Sequence, residues 1–284
     1  MIDIIDEPGK HLVVRDKEGE WARYVYGTGI WKPYLHPVLA PNGTVLTENA
    51  PVDHRNHHGI WFGYARTDDM DWWQERSNFG RIRHREFESL QKGNFAQFCE
   101  ICEWITSDST IRLADRRGFS FSKASNGSRL IDINYEMLPS GRPVCLYPTK
   151  EAGLPMIRVA DALDAKDGGL IVNSENQHKE AETYGKAARW LAMYGKSGKR
   201  EAGIALMDHP DNPDHPARWF VRDYGAFAPN NPLFSDEMIL SPEKALQLRY
   251  RIVAFDGPAD SVELNRIFEE FAGSSDQTKA VSEG

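Results

Sequence analysis

Short runs rich in Val, Ile, Phe, Tyr and Trp succeed one another along the whole chain, and each is cut off by Gly, Pro, Asn or Asp. Fourteen candidate strands can be marked, among them "HLVVRD", "GIWFGYA", "FAQFCEICEWIT", "STIRLADRR", "GFSFSKAS", "RWLAMYG" and "ALQLRYRIVAF". Such punctuation is what antiparallel sheets require. In "RLIDINYEML", Leu130, Ile131, Ile133, Tyr135 and Met137 mostly alternate with Asp132, Asn134 and Glu136, the period of a strand with one wet face. "PNGT" (Pro41 to Thr44) and "SNGS" (Ser125 to Ser128) carry the Asn-Gly pair that favours tight hairpins. The expected fold class is an all-β antiparallel sandwich with one C-terminal helix. That helix lies in "PADSVELNRIFEEF", with Asp260 as N-cap, Glu263 closing a capping box, and Val262, Ile267, Phe268 and Phe271 on the apolar face. With no repeat and no linker composition, residues 1–272 read as one domain and 273–284 as a disordered tail.

The 284 residues carry a formal charge of −8, which disfavours nonspecific nucleic-acid binding. The opening "MIDIIDEPGKHLVV" lacks the pattern of a signal peptide, and no run approaches the roughly 20 apolar residues of a membrane helix. The expectation is a soluble, cytoplasmic protein with no nucleic-acid or membrane partner. Cys99, Cys102 and Cys145 form no secretory disulfide framework. Although the first two make a C-x-x-C, they lie in a strand pattern that turns them to opposite faces, so they read as core residues.

The segment "DHRNHHGIWFG" packs three of nine histidines into five positions. Imidazole titrates near neutral pH and ligates metals, so such clustering has a chemical motive beside the structural one. An extended chain would put His54 and His58 on one face and His57 with Trp61 on the other, whereas a loop before Gly59 would bring all three imidazoles together. "YPTKEAGLPMIRV" adds Lys150, Glu151 and Arg158. "GIALMDHPDNPDHPARWFVRDYGAFAPNNP" adds His209, Arg222, Tyr224 and Asn230 between prolines. Glu175, His178, Glu180 and Glu182 cluster in "NSENQHKEAETYGK", where three carboxylates in eight positions read as a solvated loop. Aromatic side chains beside these segments suit sugar rings.

The three main segments are expected to converge on one pocket, since a sandwich brings distant strand ends together. In it, His57 or His58 would be general base or acid, His209 its partner and Glu151 a second carboxylate. Lys150, Arg158 and Arg222 would hold anionic or carbonyl oxygens, with His54, Trp61, Tyr224 and Asn230 lining the substrate. This describes an enzyme acting on a small sugar or an oxidised (keto) sugar by hydrolysis, elimination or epimerisation, without a cofactor. Two alternatives stand beside it. One is a noncatalytic carbohydrate-binding module. The other is a lyase or hydrolase whose divalent metal sits on His54, His57 and His58. Nothing specifies an oligomeric interface, and a homo-oligomer stays open.

"YLHPVLAPNGTVLTENAPVDHRNHHGIWFG", "TKEAGLPMIR", "YGKAARWLAMYGK" and "GIALMDHPDNPDHPARWFVRDYGAFAPNNP", followed by "LQLRYRIV", together resemble a bacterial domain family labelled PmoA-like, or methane oxygenase PmoA. The resemblance spans roughly residues 25–255. The family pattern has Trp-His-Val-Arg where this chain reads Trp219-Phe220-Val221-Arg222, so no catalytic role is carried over to position 220. The label implies a membrane-embedded copper oxygenase subunit, which needs several spanning helices, and the sequence offers none. What the resemblance otherwise implies is a sugar-associated sandwich. "SPEKALQLRYRIVAF" is similar to the closing strand of galactose-mutarotase-like supersandwiches.

Overall fold

A computed structural model describes residues 1–67, 70–93, 96–229, 234 and 236–274. The strands of its first half are β1 (Asp3–Glu7), β2 (His11–Asp16), β3 (Gly19–Val25), β4 (Tyr34–Val38), β5 (Ile60–Tyr64), β6 (Arg81–Gln91), β7 (Ala96–Ile105), β8 (Ile111–Lys123) and β9 (Arg129–Pro139). There follow β10 (Val144–Leu146), β11 (Ala152–Arg158), β12 (Leu170–Asn173), β13 (Trp190–Ser197), β14 (Arg200–Asp208), β15 (Phe220–Val221), β16 (Ala226–Ala228), β17 (Met238–Leu240) and β18 (Leu246–Asp256). Two α-helices, α1 (Lys179–Thr183) and α2 (Ser261–Ala272), and a short 3-10 helix at Asp161–Leu163 complete the described elements.

Two eight-stranded sheets hold most of these strands. One has the order β1-β2-β3-β4-β5-β11-β16-β15, the other β12-β13-β14-β18-β9-β8-β7-β6. Their pairings are antiparallel. The main core lies between them and draws on both: Tyr24, Leu35, Ile60 and Phe62 from the first sheet meet Trp104, Phe119, Tyr135 and Ile252 from the second. Phe62 stacks on Tyr135 with ring centroids 4.8 Å apart. The chain is an all-β sandwich.

The two runs "STIRLADRR" and "GFSFSKAS" are one strand, β8, because Gly118 stays in register opposite Cys99. Strand β4 escaped the strand pattern because Pro37 interrupts it, and β1 because it is the first stretch of chain. The Asn-Gly turn after β8 closes through Gly127 N–H donating to Ala124 O at 3.0 Å, with Gly127 at φ +88°. Cys99 and Cys102 are buried free thiols, and burial pushes the Cys99 thiol up to about 12. The Asp260 carboxylate caps α2 by accepting from Val262 N and Glu263 N. Two expectations for this helix need correction. Val262 faces solvent, 81% exposed, and Leu264 takes its place on the buried face beside Ile267, Phe268 and Phe271. Glu263 binds Arg266 at 2.7 Å through its side chain. Gly273 and Ser274, assigned to the tail, cap the helix, and Arg249 Nη2 donates to Ser274 O at 3.0 Å. The rest of that tail lies outside the described residues.

Each sheet also has an outer face with its own apolar cluster. On the second sheet α2 covers Leu130, Trp190, Met207 and Val253. On the first, the side chains that alternate away from the main core, Trp61 of β5, Met156 of β11, Phe220 of β15 and Ala226 and Ala228 of β16, gather with Trp73 and Ala65. The histidine segment lies over this second patch. Among the described residues, no helix is long and apolar enough to cross a membrane.

Candidate functional site

The histidines sit in a looped segment before β5. His54 N–H donates to Pro51 O at 3.2 Å, His57 N–H to His54 O at 3.0 Å, and Gly59 N–H to Glu48 O at 2.7 Å. Gly59 has φ +55°, and a Cβ there would lie 2.2 Å from Leu35 O, so the tight entry into β5 requires glycine. The loop turns His54 and His57 onto each other, with ring centroids 4.5 Å apart. His57 also packs on Trp61 at 4.8 Å and edge-on to Trp73 at 5.8 Å. His54 stacks on Tyr224 at 4.7 Å, which brings in the segment between β15 and β16.

Arg158 closes β11 on the same outer face. Its Nη2 donates to both Asp53 carboxylate oxygens at 3.1 and 3.2 Å, and its guanidinium lies 4.9 Å from the Tyr224 ring centroid. Although burial raises the Asp53 carboxyl, the close His54 ring and the hydrogen bonds from Arg158 outweigh it and hold the group below the usual carboxylate range. At the rim, Arg222 Nη1 donates to Glu180 Oε1 at 2.7 Å, and the Asp223 N–H donates to Glu180 Oε2 at 2.7 Å. Glu180 of α1, read from sequence as solvated, is therefore tied to the cluster's edge.

His58 faces the other flank. Its ring stacks on Tyr34 at 4.8 Å, its Nδ1 lies 2.7 Å from Asn49 Oδ1, and its Nε2 lies 2.7 Å from Glu75 Oε1. Lys32, 2% exposed, reaches the same Glu75 Oε1 at 2.9 Å and donates to Trp73 O at 2.8 Å. Burial works to raise the Glu75 carboxyl, but the His58 hydrogen bond and the Lys32 charge prevail and hold it below its ordinary value. Burial lowers Lys32, with Glu75 opposing. Because Oε1 takes both partners, Glu75 Oε2 is left outside these two bonds. His57 is held neutral: burial first, then the charges of His54, Arg158 and Lys32, push it down to about 2.

Several buried donors in this cluster have no protein partner. They are Arg158 Nε and Nη1, His57 Nδ1 and Trp61 Nε1, all on groups that touch through the stacked rings. His54 Nδ1 lies 3.1 Å from Asp53 Oδ2 but also lacks an aligned hydrogen bond. A buried polar group without a partner costs about 1–3 kcal/mol, and folded proteins keep few of them. Four of them on neighbouring side chains leave donors on this face open to an acceptor, as a second group at Trp21, Arg23 and Arg129, beside the unpartnered Glu20 Oε1, does elsewhere.

The single pocket expected from sequence forms only in part. His54, His57, His58, Trp61, Arg158, Arg222 and Tyr224 come together. Lys150 and Glu151 do not join them: antiparallel pairing sets Ile157 opposite Ile60 and Ala152 opposite Tyr64, so these two residues enter β11 at its far end. At about 3.3 Å per residue that is roughly 20 Å along the strand from Arg158. Glu151 is tied there by its main chain, its O accepting from Ala65 N–H at 2.9 Å.

His209 is farther off, at the end of β14 in the second sheet, 2% exposed and edge-on to Phe271 of α2 at 4.8 Å. Burial, helped by Arg249, lowers its pKa. Its neighbours Asp208, Asn212 and His215 form a hydrogen-bonded knot beneath that helix. The proline-rich segment thus serves two faces, residues 208–215 on the second sheet and 218–228 on the first. Asn230 lies outside the described residues. Phe220, where the resembling pattern has histidine, is a buried residue beside Tyr184.

The three histidines do not present a metal-ligand set, since both His58 nitrogens face Asn49 and Glu75. Among the described residues, the group of three or more His, Cys, Asp or Glu donors within 4.8 Å is Asp161, Asp164 and Asp167. Lys32, Tyr34, Asn49, Glu75 and Glu180 were not expected at the site. The available signal was "DWWQER", an acid beside paired tryptophans.

Residues 11–269 match a family described as a family of unknown function, DUF6807. The chain belongs to that family. The description names neither PmoA nor a mutarotase, so the DUF6807 site is read from its own residues. A solved polysaccharide lyase is similar at 10% identity and a TM-score of 0.30, over 90% of this chain and 32% of that one. The DUF6807 chain thus spans about a third of that lyase's length. No curated protein matches the sequence.

Proposed function

We propose that this protein is a carbohydrate-active enzyme that binds a sugar or an oxidised sugar at the half-buried Tyr34, His54 and Tyr224, above the buried Trp61 and Trp73, and acts on it by acid-base chemistry. The observation that carries the reading is the buried Lys32–Glu75–His58 chain beside aromatic faces and unpartnered donors. Glu75, kept ionised by Lys32 and His58, is the base, taking a substrate proton at Oε2. His58 and Lys32 stay on Oε1 and hold the carboxyl in place, and Glu75 gives the proton back from Oε2 to the substrate carbon or to the leaving oxygen. The donors of Arg158 and His57 hold substrate oxygens, where fixed N–H groups stabilise developing negative charge. His57, neutral and lowered to about 2, is a hydrogen-bond donor in this scheme. Glu75 takes the role first given to Glu151. These steps suit proton abstraction beside a carbonyl, elimination or epimerisation.

The test is a mass-spectrometric screen of aldoses, glycosides and 3-keto sugars with and without chelator, using the wild-type chain, Glu75→Gln and His58→Ala. Loss of a positioned acid-base group lowers turnover by about 10²–10⁴-fold. Turnover is read below the melting transition of each variant, since Glu75→Gln loses the partner of buried Lys32, and unchanged turnover in both variants rejects the assignment. A noncatalytic carbohydrate-binding module is the second reading, favoured by the engagement of both His58 nitrogens and by an unpartnered set made only of donors. It predicts affinity without conversion, retained in His58→Ala and lost with Trp61.

A further inference from the structure

The second sheet ends at β6, and beside that edge strand lies a cleft of about 510 Å³, walled also by the β3–β4 connection and the β7–β8 turn. Such a volume is within the range of small-molecule sites. Neither Glu75 nor the histidine loop lines it. In a chain with a formal charge of −8, Arg81, Arg83 and His84 face this cleft, and among the described residues no carboxylate does.

His84 is held there by its surroundings. Its Nδ1 lies 2.7 Å from Oε1 of Glu100, whose side chain is fully buried, and its ring sits between those of Tyr26 at 4.6 Å and Phe87 at 4.5 Å. The other Glu100 oxygen accepts from the Tyr24 hydroxyl, which burial first, and then the charge of Glu100, keep protonated. A carboxylate can only accept, so His84 Nδ1 carries the hydrogen and Nε2 keeps its lone pair. Nothing among the described residues meets Nε2, and it is not sealed off as the spare nitrogens of Arg158 are. Arg81 offers the opposite chemistry. Its exposed guanidinium lies 4.0 Å from the Trp31 ring centroid, a contact that steadies a long side chain. Arg83 is taken by Glu103 at 2.7 Å, whereas no carboxylate among the described residues pairs with Arg81. The two groups start roughly 10 Å apart along β6, a spacing that suits a molecule of one or two rings better than a single small ion.

We infer that this cleft is a second ligand site, in which His84 Nε2 accepts from a hydroxyl of a polyhydroxylated molecule and Arg81 donates to one of its oxygens. The inference does not depend on the reaction assigned to Glu75. The oxygen at Arg81 belongs to a neutral sugar or to a sugar phosphate, and the test separates the two.

Nitrogen-15 spectra of the histidines in the full chain at pH 8, with glucose, cellotriose, glucose 6-phosphate and inorganic phosphate as probes, supply that test. His84→Asn identifies the His84 signals, since the new amide still donates to Glu100 while Nε2 is gone. The free chain should show Nδ1 of His84 protonated and Nε2 bare. At least one sugar probe should move the Nε2 resonance. Arg81→Gln, on the surface, should weaken that probe about five-fold, the loss of one charge-assisted hydrogen bond, and His58→Ala should leave it within about two-fold. Cellotriose as the tightest probe identifies a neutral sugar, and glucose 6-phosphate an anionic one. A hydrogen on Nε2 in the free chain overturns the proposal, as does a His84 resonance that no sugar probe moves at about 10 mM. Unchanged affinity in Arg81→Gln overturns it as well. Inorganic phosphate binding as tightly as any sugar probe reduces the cleft to an adventitious ion only.

Discussion

His57 shows what a single side chain acquires from its surroundings. A lone imidazole titrates near 6.5, but this one is walled in by Trp61, Trp73 and His54 with Arg158 and Lys32 nearby, and is lowered to about 2. His36, half-buried, is lowered to about 4, again by burial first. Both are neutral in the folded chain and become protonated in the unfolded chain as pH falls through 6.5. Their contribution to stability is therefore complete above 6.5 and declines below it, by up to about 1.4 kcal/mol per pH unit for each. Denaturant titrations between pH 6 and 5 should show this slope, and His57→Phe should remove about one histidine's share of it. Glu75 has the opposite relation, a folded pKa below the unfolded one. Its stabilisation is present above about 4.5 and disappears as pH falls through the folded value. Glu75→Gln leaves Lys32 buried without a carboxylate, and an expected loss of about 3–5 kcal/mol can be read from urea midpoints at pH 7.

The elements depend on a few positions where the backbone allows little choice. Gly59 lets the histidine loop enter β5 under Leu35 O, so Gly59→Ala demands both a rare φ and room that is not there. A loss of more than about 1 kcal/mol is expected, with altered fluorescence of Trp61 and Trp73 as the loop shifts. Helix α2 shows the contrast between a cap and an exposed residue. Asp260→Ala should cost about 1 kcal/mol through the lost cap, whereas Val262→Ser, on the solvent side, should stay within about 0.5 kcal/mol. Calorimetric melting of the two variants separates them. The Asp260 cap was legible in "PADSVE" because capping is local. The exposure of Val262 was not, because the rotation of a helix about its axis is fixed by what it packs against.

At the scale of the whole molecule the two sheets meet over a buried polar group as well as over apolar side chains. Asp115 accepts from Arg117 Nε at 2.7 Å and Nη2 at 2.8 Å, and also from Trp104 Nε1, while the Arg117 guanidinium lies 4.5 Å from the ring of Phe62 in the facing sheet. Asp115→Ala would strand a fully buried guanidinium, and a loss of about 3–5 kcal/mol in chemical denaturation is the expected outcome. The sequence by itself determined most of the strands, the Asn-Gly turns, the terminal helix and the histidine cluster, because alternation, turn residues, caps and clustering act over a few residues. Only the tertiary structure decided which distant segments share a face. Antiparallel register sent Lys150 and Glu151 to the far end of β11. The path of the chain after β14 kept His209 on the other sheet, under α2, while returning Tyr224 to the histidines. It was the same packing that placed Glu75 and Lys32 beside His58, since contacts between residues far apart in sequence follow from how whole sheets stack and not from local pattern.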